Sequence, residues 1–290
     1  MAENQNHPAQ SYRVLASRIR MRVLDWPGAE PPVLFIHGFS NNALAALRLG
    51  NLLAGRRRVI APDLRGRGDS DMPFGEYGIP THLRDLVACL NRLGVQRFVV
   101  AGHSLGATIG VFLAAQYPDR VTGLILFDGG AIPNPVAVEM LNAYYDSLTY
   151  RYPSLEAYVA RFRNAPAYQP WTDELEQLVR SNLIQQPDGS YFRRVARYVI
   201  EADRRAEHLE TWKQLPDLYA RVECPTLILR AGMGMVGVED RVLSDEAVAA
   251  MRAGLHSSRV VTIERAGHTS LLTIPSEERD SAILEFLGLK

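Results

Sequence analysis

The chain has 290 residues, of which 47% are hydrophobic and 22% charged, and these proportions exclude a chain that stays disordered. Its 32 basic residues balance its 32 acidic ones, which argues against a broad basic surface for nucleic acid. The two cysteines, Cys89 and Cys224, lie far apart in apolar surroundings, so we expect buried free thiols rather than a disulfide framework or a thiolate metal site.

The chain opens with MAENQNHPAQ, which lacks the charged and then apolar pattern of a leader peptide. None of its apolar runs reaches the roughly 18 residues that a membrane-spanning helix needs. We therefore expect a soluble, cytoplasmic protein that binds neither a membrane nor nucleic acid. The sequence does not indicate an oligomeric state.

The first 130 residues alternate between strand-like and helix-like segments. Residues 12–15 and 19–24 are predicted to form an antiparallel pair at the edge of a sheet. Short apolar runs, typical of strands that are buried on both faces of a parallel sheet, lie at residues 33–36, 59–61, 98–101 and 124–127. Residues 81–93 carry an apolar stripe at helical spacing. This alternation predicts an α/β fold with a wound, mostly parallel sheet that has helices on both faces.

The pattern changes between residues 132 and 219, where strand-like runs give way to helical stripes separated by prolines. The stripes lie at residues 136–145, 155–162, 175–184 and 192–200, and the segment holds 13 of the chain's 24 aromatic residues. Aromatic stripes are usually core, but a helical insertion between two strands is well placed to cover a pocket at the strand ends. We therefore predict a helical cap at residues 132–219.

The alternation resumes after Cys224, with a strand at residues 226–230, a helix at 245–251, a strand at 259–263 and a closing helix at 277–287. Residues 1–131 and 220–290 are accordingly predicted to form one α/β core around a single sheet. The predicted cap is thus inserted into this core and does not follow it in the chain.

The strongest chemical signal is the segment Gly102-His103-Ser104-Leu105-Gly106, which directly follows the predicted strand at 98–101. The pattern G-x-S-x-G between a buried strand and a helix is that of a nucleophile elbow, in which a tight turn exposes the serine at the start of the helix. The glycines are needed because side chains there would contact the neighbouring strands. Ser104 is therefore the candidate nucleophile.

A serine nucleophile needs a general base, and His268 is the best placed of the seven histidines. It lies in the short loop Ala266-Gly267-His268 after the strand at 259–263, at the end of the sheet where the serine also emerges. The other histidines are expected elsewhere: His7 in a polar tail, His37 in a structural hydrogen-bonding role, His82 on a helix surface, His103 pointing away from the serine, His208 in the cap and His256 in a loop.

The oxyanion of an acyl-transfer reaction needs backbone N–H donors. We expect one donor from Leu105, directly after the nucleophile, and the other from Phe39 in the loop that follows the strand at 33–36. Gly38 lets this backbone approach closely. The run PDLRGRGDS at 62–70 is expected to form a turn that is held by its own polar groups and takes no direct part in the chemistry.

Together these motifs resemble those of the α/β-hydrolase fold family, and the likeness covers nearly the full length of the chain. The matching segments are HGF at 37–39, PDLRGRGDS at 62–70, GHSLGA at 102–107 and AGH at 266–268, in the family's order. Within the family the chain resembles capped esterases and carbon–carbon bond hydrolases. Haloalkane dehalogenases and epoxide hydrolases share the scaffold but have Asp at the elbow, so Ser104 disfavours these two activities.

The acid of the catalytic triad is where the chain departs from the family pattern. The resemblance implies an acid a few residues after the strand at 226–230, as G-x-x-D, but Met235 stands in that place. Asp240, with Glu239 beside it, lies farther along an enlarged loop. Asp128 directly follows the preceding strand, from which some relatives supply their acid, and adjacent strand ends bring side chains to the same edge of the sheet. We therefore favour Asp128 and keep Asp240 as the alternative.

The chain is thus predicted to be a serine hydrolase that cleaves small-molecule carboxylic esters through an acyl-enzyme, with no metal and no organic cofactor. The glycine pattern at 232–237 matches G-x-G-x-x-G, but the predicted helix start at Ser244 comes too late for dinucleotide binding. A carbon–carbon bond hydrolase acting on a vinylogous diketone is the main alternative, because it would use the same residues. A ligand-binding receptor with vestigial hydrolysis is a further alternative.

Overall fold

The computed structural model describes residues 9–206, 209–234 and 239–290 of the protein. Within these residues eight strands form one sheet, in the order β1-β2-β4-β3-β5-β6-β9-β10, and two further strands form a hairpin. The strands are β1 (Gln10–Ala16), β2 (Ile19–Trp26), β3 (Val33–Ile36), β4 (Val59–Pro62), β5 (Phe98–His103), β6 (Val121–Phe127), β7 (Leu183–Gln185), β8 (Tyr191–Arg193), β9 (Thr226–Ala231) and β10 (Ser258–Ile263).

The large sheet is parallel except at one edge. There β1 runs antiparallel to β2, and β2 antiparallel to β4. All other neighbouring strands are parallel. β3, β4, β5 and β9 are buried at every position, as expected of strands that are covered on both faces. The predicted antiparallel edge and the predicted parallel core are both confirmed.

Helices lie on both faces of the sheet. They are α1 (Leu47–Leu53), α2 (Ile79–Arg92), α3 (Leu105–Gln116), α4 (Pro135–Ser147), α5 (Leu155–Arg163), α6 (Asp173–Ser181), α7 (Arg197–Ala206), α8 (Leu209–Lys213), α9 (Leu215–Tyr219), α10 (Asp245–Gly254) and α11 (Glu277–Phe286). Leu34 and Ile36 of β3 belong to an apolar cluster with residues of α2, α3 and α10. Val33 and Phe35, which point to the opposite face, belong to a second cluster with residues of α1 and α11.

The segment between β6 and β9 contains α4 to α9 and also the hairpin of β7 and β8. The predicted helices over residues 175–184 and 192–200 are therefore wrong in part. Helix α6 ends at Ser181, α7 begins at Arg197, and β7 pairs with β8 between them. The division of the chain into a core and a cap at residues 132 and 219 stays a prediction.

A tight turn explains why the helical stripes end at this hairpin. Gly189 has a φ of +85°, which other residues rarely adopt, and the side chain of Asp188 accepts a hydrogen bond from the Ser190 amide at 3.0 Å. The run Pro-Asp-Gly-Ser thus reverses the chain, and its turn chemistry outweighs the apolar periodicity on either side.

Cys89 and Cys224 are buried free thiols, as expected. Burial raises the pKa of Cys89 to about 12 and that of Cys224 to about 11, so both thiols stay protonated near neutral pH. In the part of the chain that the structure describes, no helix combines the length and the apolar character needed to cross a membrane.

Candidate active site

Ser104 lies at a sharp turn between β5 and α3. Its backbone has a φ of +54° and a ψ of −116°, a strained conformation for a residue other than glycine. The turn is tight enough that a Cβ atom on Gly102 would lie only 2.1 Å from the carbonyl oxygen of Gly106. Because position 102 is a glycine, the chain can present Ser104 at the N-terminus of α3, in the geometry expected of a nucleophile elbow.

The loop after β3 passes directly beside this turn. A Cβ atom on Gly38 would lie 2.8 Å from Nδ1 of His103 and 3.4 Å from Cβ of Ser104. The absence of a side chain at Gly38 thus lets the backbone of residues 37–39 approach the candidate nucleophile. This close approach is what an oxyanion-binding loop requires.

Two backbone amides near Ser104 are candidate oxyanion donors. The amide of Leu105 is the first of α3, where helical amides have no partner within the helix. Among the described residues, neither this amide nor that of Phe39 donates a hydrogen bond to a protein acceptor. Both amides therefore remain candidate oxyanion donors.

Arg67 contacts both the backbone and the ring of Phe39. Its Nε donates a hydrogen bond to the carbonyl oxygen of Phe39 at 3.0 Å, and its guanidinium lies 4.9 Å from the centre of the Phe39 ring. Asp63 organises the rest of the 62–70 turn by accepting hydrogen bonds from the amides of Ala43 and Asp69. The turn is therefore held by polar groups, as expected, and Arg67 links it to the loop that carries Phe39, the candidate oxyanion donor.

His268 forms a buried pair with Asp128. Nδ1 of His268 lies 2.7 Å from Oδ2 of Asp128, and the two residues are 6% and 1% exposed. The other carboxylate oxygen accepts a hydrogen bond from the amide of Ala231 at 3.1 Å. Because Asp128 follows β6, which lies between β5 and β9, its side chain reaches the same edge of the sheet as Ser104. With Nδ1 donating to the carboxylate, Nε2 is the nitrogen that can accept a proton.

Asp240, the alternative acid, is also buried, at 5% exposure, in the loop that precedes α10. The Nδ1 atom of His268 already has its carboxylate in Asp128. Met235, which occupies the expected acid position, lies outside the described residues, as does part of the glycine pattern at 232–237. The 2.7 Å contact between Nδ1 of His268 and the Asp128 carboxylate favours Asp128 over Asp240 as the partner of His268.

His103 supports His268 in a way that the sequence did not predict. Its Nε2 lies 2.9 Å from the carbonyl oxygen of His268, and the two rings are 4.6 Å apart between centroids. Burial lowers the pKa of His103 well below its ordinary value, so the ring is neutral and donates this hydrogen bond from Nε2. His103 is therefore a positioning residue for the loop that carries His268.

Two other histidines differ in how well they match their predicted places. His37 is structural, as expected: its Nε2 accepts from the amide of Leu64 at 3.0 Å and its Nδ1 donates to the carbonyl of Gly38 at 2.8 Å. His82 was expected on a helix surface, but it is fully buried beside Asp203 of α7, 3.2 Å away. The apolar pattern of a helix depends on neighbouring residues and does not reveal a partner 121 residues away. The predicted surface position of His82 was wrong for this reason.

Of the remaining histidines, the structure describes only His256. His256 lies in an exposed loop, where its Nε2 is 3.0 Å from the carbonyl oxygen of Ala220. His7 and His208 lie outside the described residues.

Ser104 and His268 line a common small cavity. The segment between β6 and β9 contributes Tyr144, Tyr145 and Tyr168 to its wall. The cavity has a volume of about 30 Å³, which is roughly the room that one or two water molecules need. These aromatic side chains therefore border the space beside Ser104.

The alpha/beta hydrolase fold family matches residues 31–275, a range that includes both candidate oxyanion donors, Ser104, Asp128 and His268. The chain belongs to this family. Relatives with named activities include hydrolases, and the predicted family and fold are confirmed.

Two curated members of known activity are similar to the chain. It is 31% identical over 185 residues to the 2-(acetamidomethylene)succinate hydrolase of Mesorhizobium japonicum, a match that covers 59% of this chain and 66% of the relative. It is 27% identical over 281 residues to the 3-hydroxybutyrate-oligomer hydrolase of Cupriavidus necator, with 89% and 90% covered. Uncharacterized proteins of Mycobacterium tuberculosis are 35% identical over 111 residues, but the match spans only 33% of their length.

A solved structure supports the family assignment over the whole chain. The crystal structure of E-2-(acetamidomethylene)succinate hydrolase superposes with a TM-score of 0.81 at 26% identity, and the match covers 97% of this chain and 99% of that one. The likeness therefore includes the segment between β6 and β9 as well as the sheet.

Proposed function

We propose that the protein is a serine hydrolase that cleaves carboxylic esters of small molecules through an acyl-enzyme. The observation that carries this proposal is the buried hydrogen bond between His268 and Asp128, 2.7 Å long, at a cavity that Ser104 also lines. A nucleophile, a base and a carboxylate that orients the base are the three groups that this chemistry needs.

In the first half of the reaction, Nε2 of His268 takes the proton of the Ser104 hydroxyl while its oxygen attacks the ester carbonyl. Asp128 keeps the Nδ1 proton in place and stabilises the imidazolium that forms. The amides of Phe39 and Leu105 donate hydrogen bonds to the oxyanion of the tetrahedral intermediate. His268 then gives its proton to the departing alkoxide, and the acyl group stays on Ser104.

In the second half, His268 takes a proton from water while the resulting hydroxide attacks the acyl carbonyl. The bond between Ser104 and the acyl group breaks, and the proton returns from His268 to the serine oxygen. The products are an alcohol and a carboxylic acid, and no redox partner or metal is needed for either step.

The same proposal assigns a cap role to residues 132–219. Tyr144, Tyr145 and Tyr168 of this segment line the cavity. This supports a segment that covers the cavity and a substrate preference that depends on the shape of the cavity. The similarity to a 3-hydroxybutyrate-oligomer hydrolase over 89% of the chain supports an ester substrate, because units of a hydroxy acid are joined by ester bonds.

A panel of p-nitrophenyl esters of rising acyl length tests the proposal directly. The wild-type protein should hydrolyse at least one of them, and Ser104→Ala should lower kcat by up to about 10⁶-fold. A fluorophosphonate should label the wild-type protein once, at Ser104. Ser11→Ala, a substitution on the exposed edge strand, is the matched control and should leave labelling and turnover unchanged.

Three other outcomes would overturn the proposal. Residual activity of Ser104→Ala above about a tenth of wild type would show that another group is the nucleophile. Rapid cleavage of a dienone acid with no cleavage of the esters would indicate carbon–carbon bond hydrolysis. Tight, saturable ligand binding with negligible turnover would indicate a receptor.

A further inference from the structure

Arg193 is buried beside the candidate active site and has no carboxylate partner among the residues that the structure describes. It lies at the end of β8 and is only 6% exposed. Its Nη2 donates to the carbonyl oxygen of Ser40 at 2.6 Å and lies 3.4 Å from the hydroxyl of Tyr144, and its Nη1 contacts the hydroxyl of Tyr158. Its Nε is buried and has no hydrogen-bond partner. Within the described residues its partners are thus a backbone carbonyl and two tyrosine hydroxyls.

The other buried arginines show that this is unusual within the described residues. Each of the four has a carboxylate partner: Arg65 pairs with Asp85, Arg67 with Asp203, Arg230 with Asp245 and Arg279 with Asp280. A buried cation without a counter-ion is costly, because desolvation removes favourable water contacts that nothing replaces. Arg193 is therefore placed to receive an anion that comes from outside the chain.

Three hydroxyl-bearing residues close to Arg193 also belong to the wall of the cavity that Ser104 lines. Ser40, Tyr144 and Tyr168 all line that cavity. The hydroxyl of Tyr144 lies 2.9 Å from Oγ of Ser40 and 3.5 Å from the hydroxyl of Tyr168. Ser40 also directly follows Phe39, the candidate oxyanion donor, so this cluster adjoins the place where the scissile carbonyl would bind.

The electrostatics of the cluster favour negative charge. Burial alone would raise the pKa of Tyr144, but the charge of Arg193 and hydrogen bonds from Ser40, Tyr168 and Arg193 lower it. Burial and the neighbouring Tyr144 raise the pKa of Tyr168, which therefore stays a hydroxyl donor. None of the described residues that line the cavity is acidic.

We propose that Arg193 and the hydroxyl groups of Ser40, Tyr144 and Tyr168 form a carboxylate subsite, so that the preferred ester is the half-ester of a small dicarboxylic acid or another ester with a free carboxylate. This rests on the proposed function and names its substrate class. The three hydroxyls donate to the carboxylate, and Arg193 supplies the compensating charge behind them. Hydrolysis of such a half-ester consumes one water and releases a dicarboxylic acid and an alcohol.

Matched substrates test this proposal. We would compare kcat/KM for mono-p-nitrophenyl glutarate, which carries a carboxylate on the acyl side, with that for p-nitrophenyl hexanoate, which is neutral and of similar length. A third substrate, 4-carboxyphenyl butyrate, places the carboxylate on the alcohol side. At least one of the two charged esters should have a higher kcat/KM than the neutral ester. If kcat/KM for each charged ester is equal to or lower than that for the neutral ester, the proposal is overturned.

Variants then assign the preference to Arg193. Arg193→Gln should lower kcat/KM for the preferred charged ester by about tenfold to a hundredfold and change that for the neutral ester by much less. Tyr144→Phe keeps the ring but removes the central hydroxyl, and it should reduce the same preference. Arg194→Gln is the matched control, because the neighbouring Arg194 pairs with Asp69 at the surface and should leave the preference intact. An equal loss on both kinds of ester in folded Arg193→Gln protein would show a purely structural role.

A binding measurement separates this subsite from the proposed reaction. Glutarate should bind to Ser104→Ala protein in calorimetry, and Arg193→Gln in that background should weaken binding by at least tenfold. Glutarate binding without ester turnover or Ser104 labelling would refute the proposed function while supporting the subsite. Ester turnover with no glutarate binding and no charge preference would refute the subsite alone.

Discussion

Two aspartate–histidine pairs are buried in the described part of the chain, and they differ in what else each carboxylate contacts. Asp128 lies 2.7 Å from Nδ1 of His268, and Asp203 lies 3.2 Å from Nε2 of His82. Asp203 also forms an ion pair with Arg67 and accepts the amide of Gly78. Within the described residues, Asp128 has no arginine partner and accepts only one backbone amide besides the histidine.

The comparison shows that such a pair is not by itself a sign of catalysis. His268 lines the cavity that Ser104 shares, so its free nitrogen can exchange a proton with a substrate. His82 does not line that cavity. The pair joins α2 to α7 through Asp203, and Arg67 connects it to the loop that carries Phe39. We therefore expect the first pair to control turnover and the second to control stability, and four predictions test this division.

The largest expected effect is the loss of turnover in Asp128→Asn. An asparagine can no longer hold the Nδ1–H tautomer of His268, and the comparable change in serine proteases lowers kcat by about 10⁴-fold. Steady-state kinetics on the best p-nitrophenyl ester would measure this, and circular dichroism would check that the variant is folded. An active, folded Asp128→Asn enzyme would contradict the assigned role.

Asp203→Asn should instead lower stability. The substitution leaves Arg67 buried without its counter-ion, and breaking a buried ion pair typically costs about 3–5 kcal/mol of unfolding free energy. Burial disfavours the Asp203 carboxylate, but Arg67 and His82 outweigh it and hold its pKa below the ordinary range, in agreement with a stabilising pair.

Denaturant unfolding measures this effect, and kcat per folded molecule should change little. Asp217→Asn, on the exposed side of α9, is the control and should shift stability by less than about 0.5 kcal/mol. A stable Asp203→Asn protein with greatly reduced kcat would show that the second pair also serves the reaction.

The two pairs also differ in how far the sequence could predict them. Ser104 and Asp128 were predictable because each directly follows a buried strand, and the order of the strands then brings their ends together. The local need for glycine at Gly102 and Gly38 is equally visible in the sequence, since the turns themselves require it. These features depend on a few neighbouring residues.

The second pair and the carboxylate subsite depend on contacts across long stretches of chain. His82 was expected at a surface because its partner, Asp203, comes from α7. Arg193 was assigned to a helix because the turn at Asp188 and Gly189 was overlooked, although Asp-Gly is a strong turn signal. Even when β8 is recognised in the sequence, only the folded structure shows that Arg193 is buried beside Ser40.

His37 offers a third case, a buried histidine that is bonded only to backbone groups. Burial lowers its pKa to about 3, below the ordinary value of about 6.5 for the unfolded chain. The unfolded chain therefore takes up this proton first as pH falls, so the stability due to neutral His37 is complete above about pH 6.5 and is lost progressively toward pH 3.

Between pH 7 and pH 5 this loss amounts to about 2 kcal/mol from His37. His37→Gln should lower stability at pH 7 but flatten its dependence on pH by about this amount, as measured by denaturant unfolding at several pH values. His256→Gln, in an exposed loop, is the control and should leave the slope unchanged. An unchanged slope in His37→Gln would show that His37 is not held neutral in the folded protein.

The smallest expected effect is that of Asp240→Asn, which tests whether the first pair acts alone. Since Nδ1 of His268 already has Asp128 as its acceptor, removal of the Asp240 charge should lower kcat less than tenfold. Asp240 is buried, so some loss of stability is expected and has to be measured separately by thermal unfolding. Glu239→Gln, at the exposed neighbouring position, is the control. An inactive but folded Asp240→Asn beside an active Asp128→Asn would mean that the loop before α10 delivers the acid, and the two buried pairs would then both be structural.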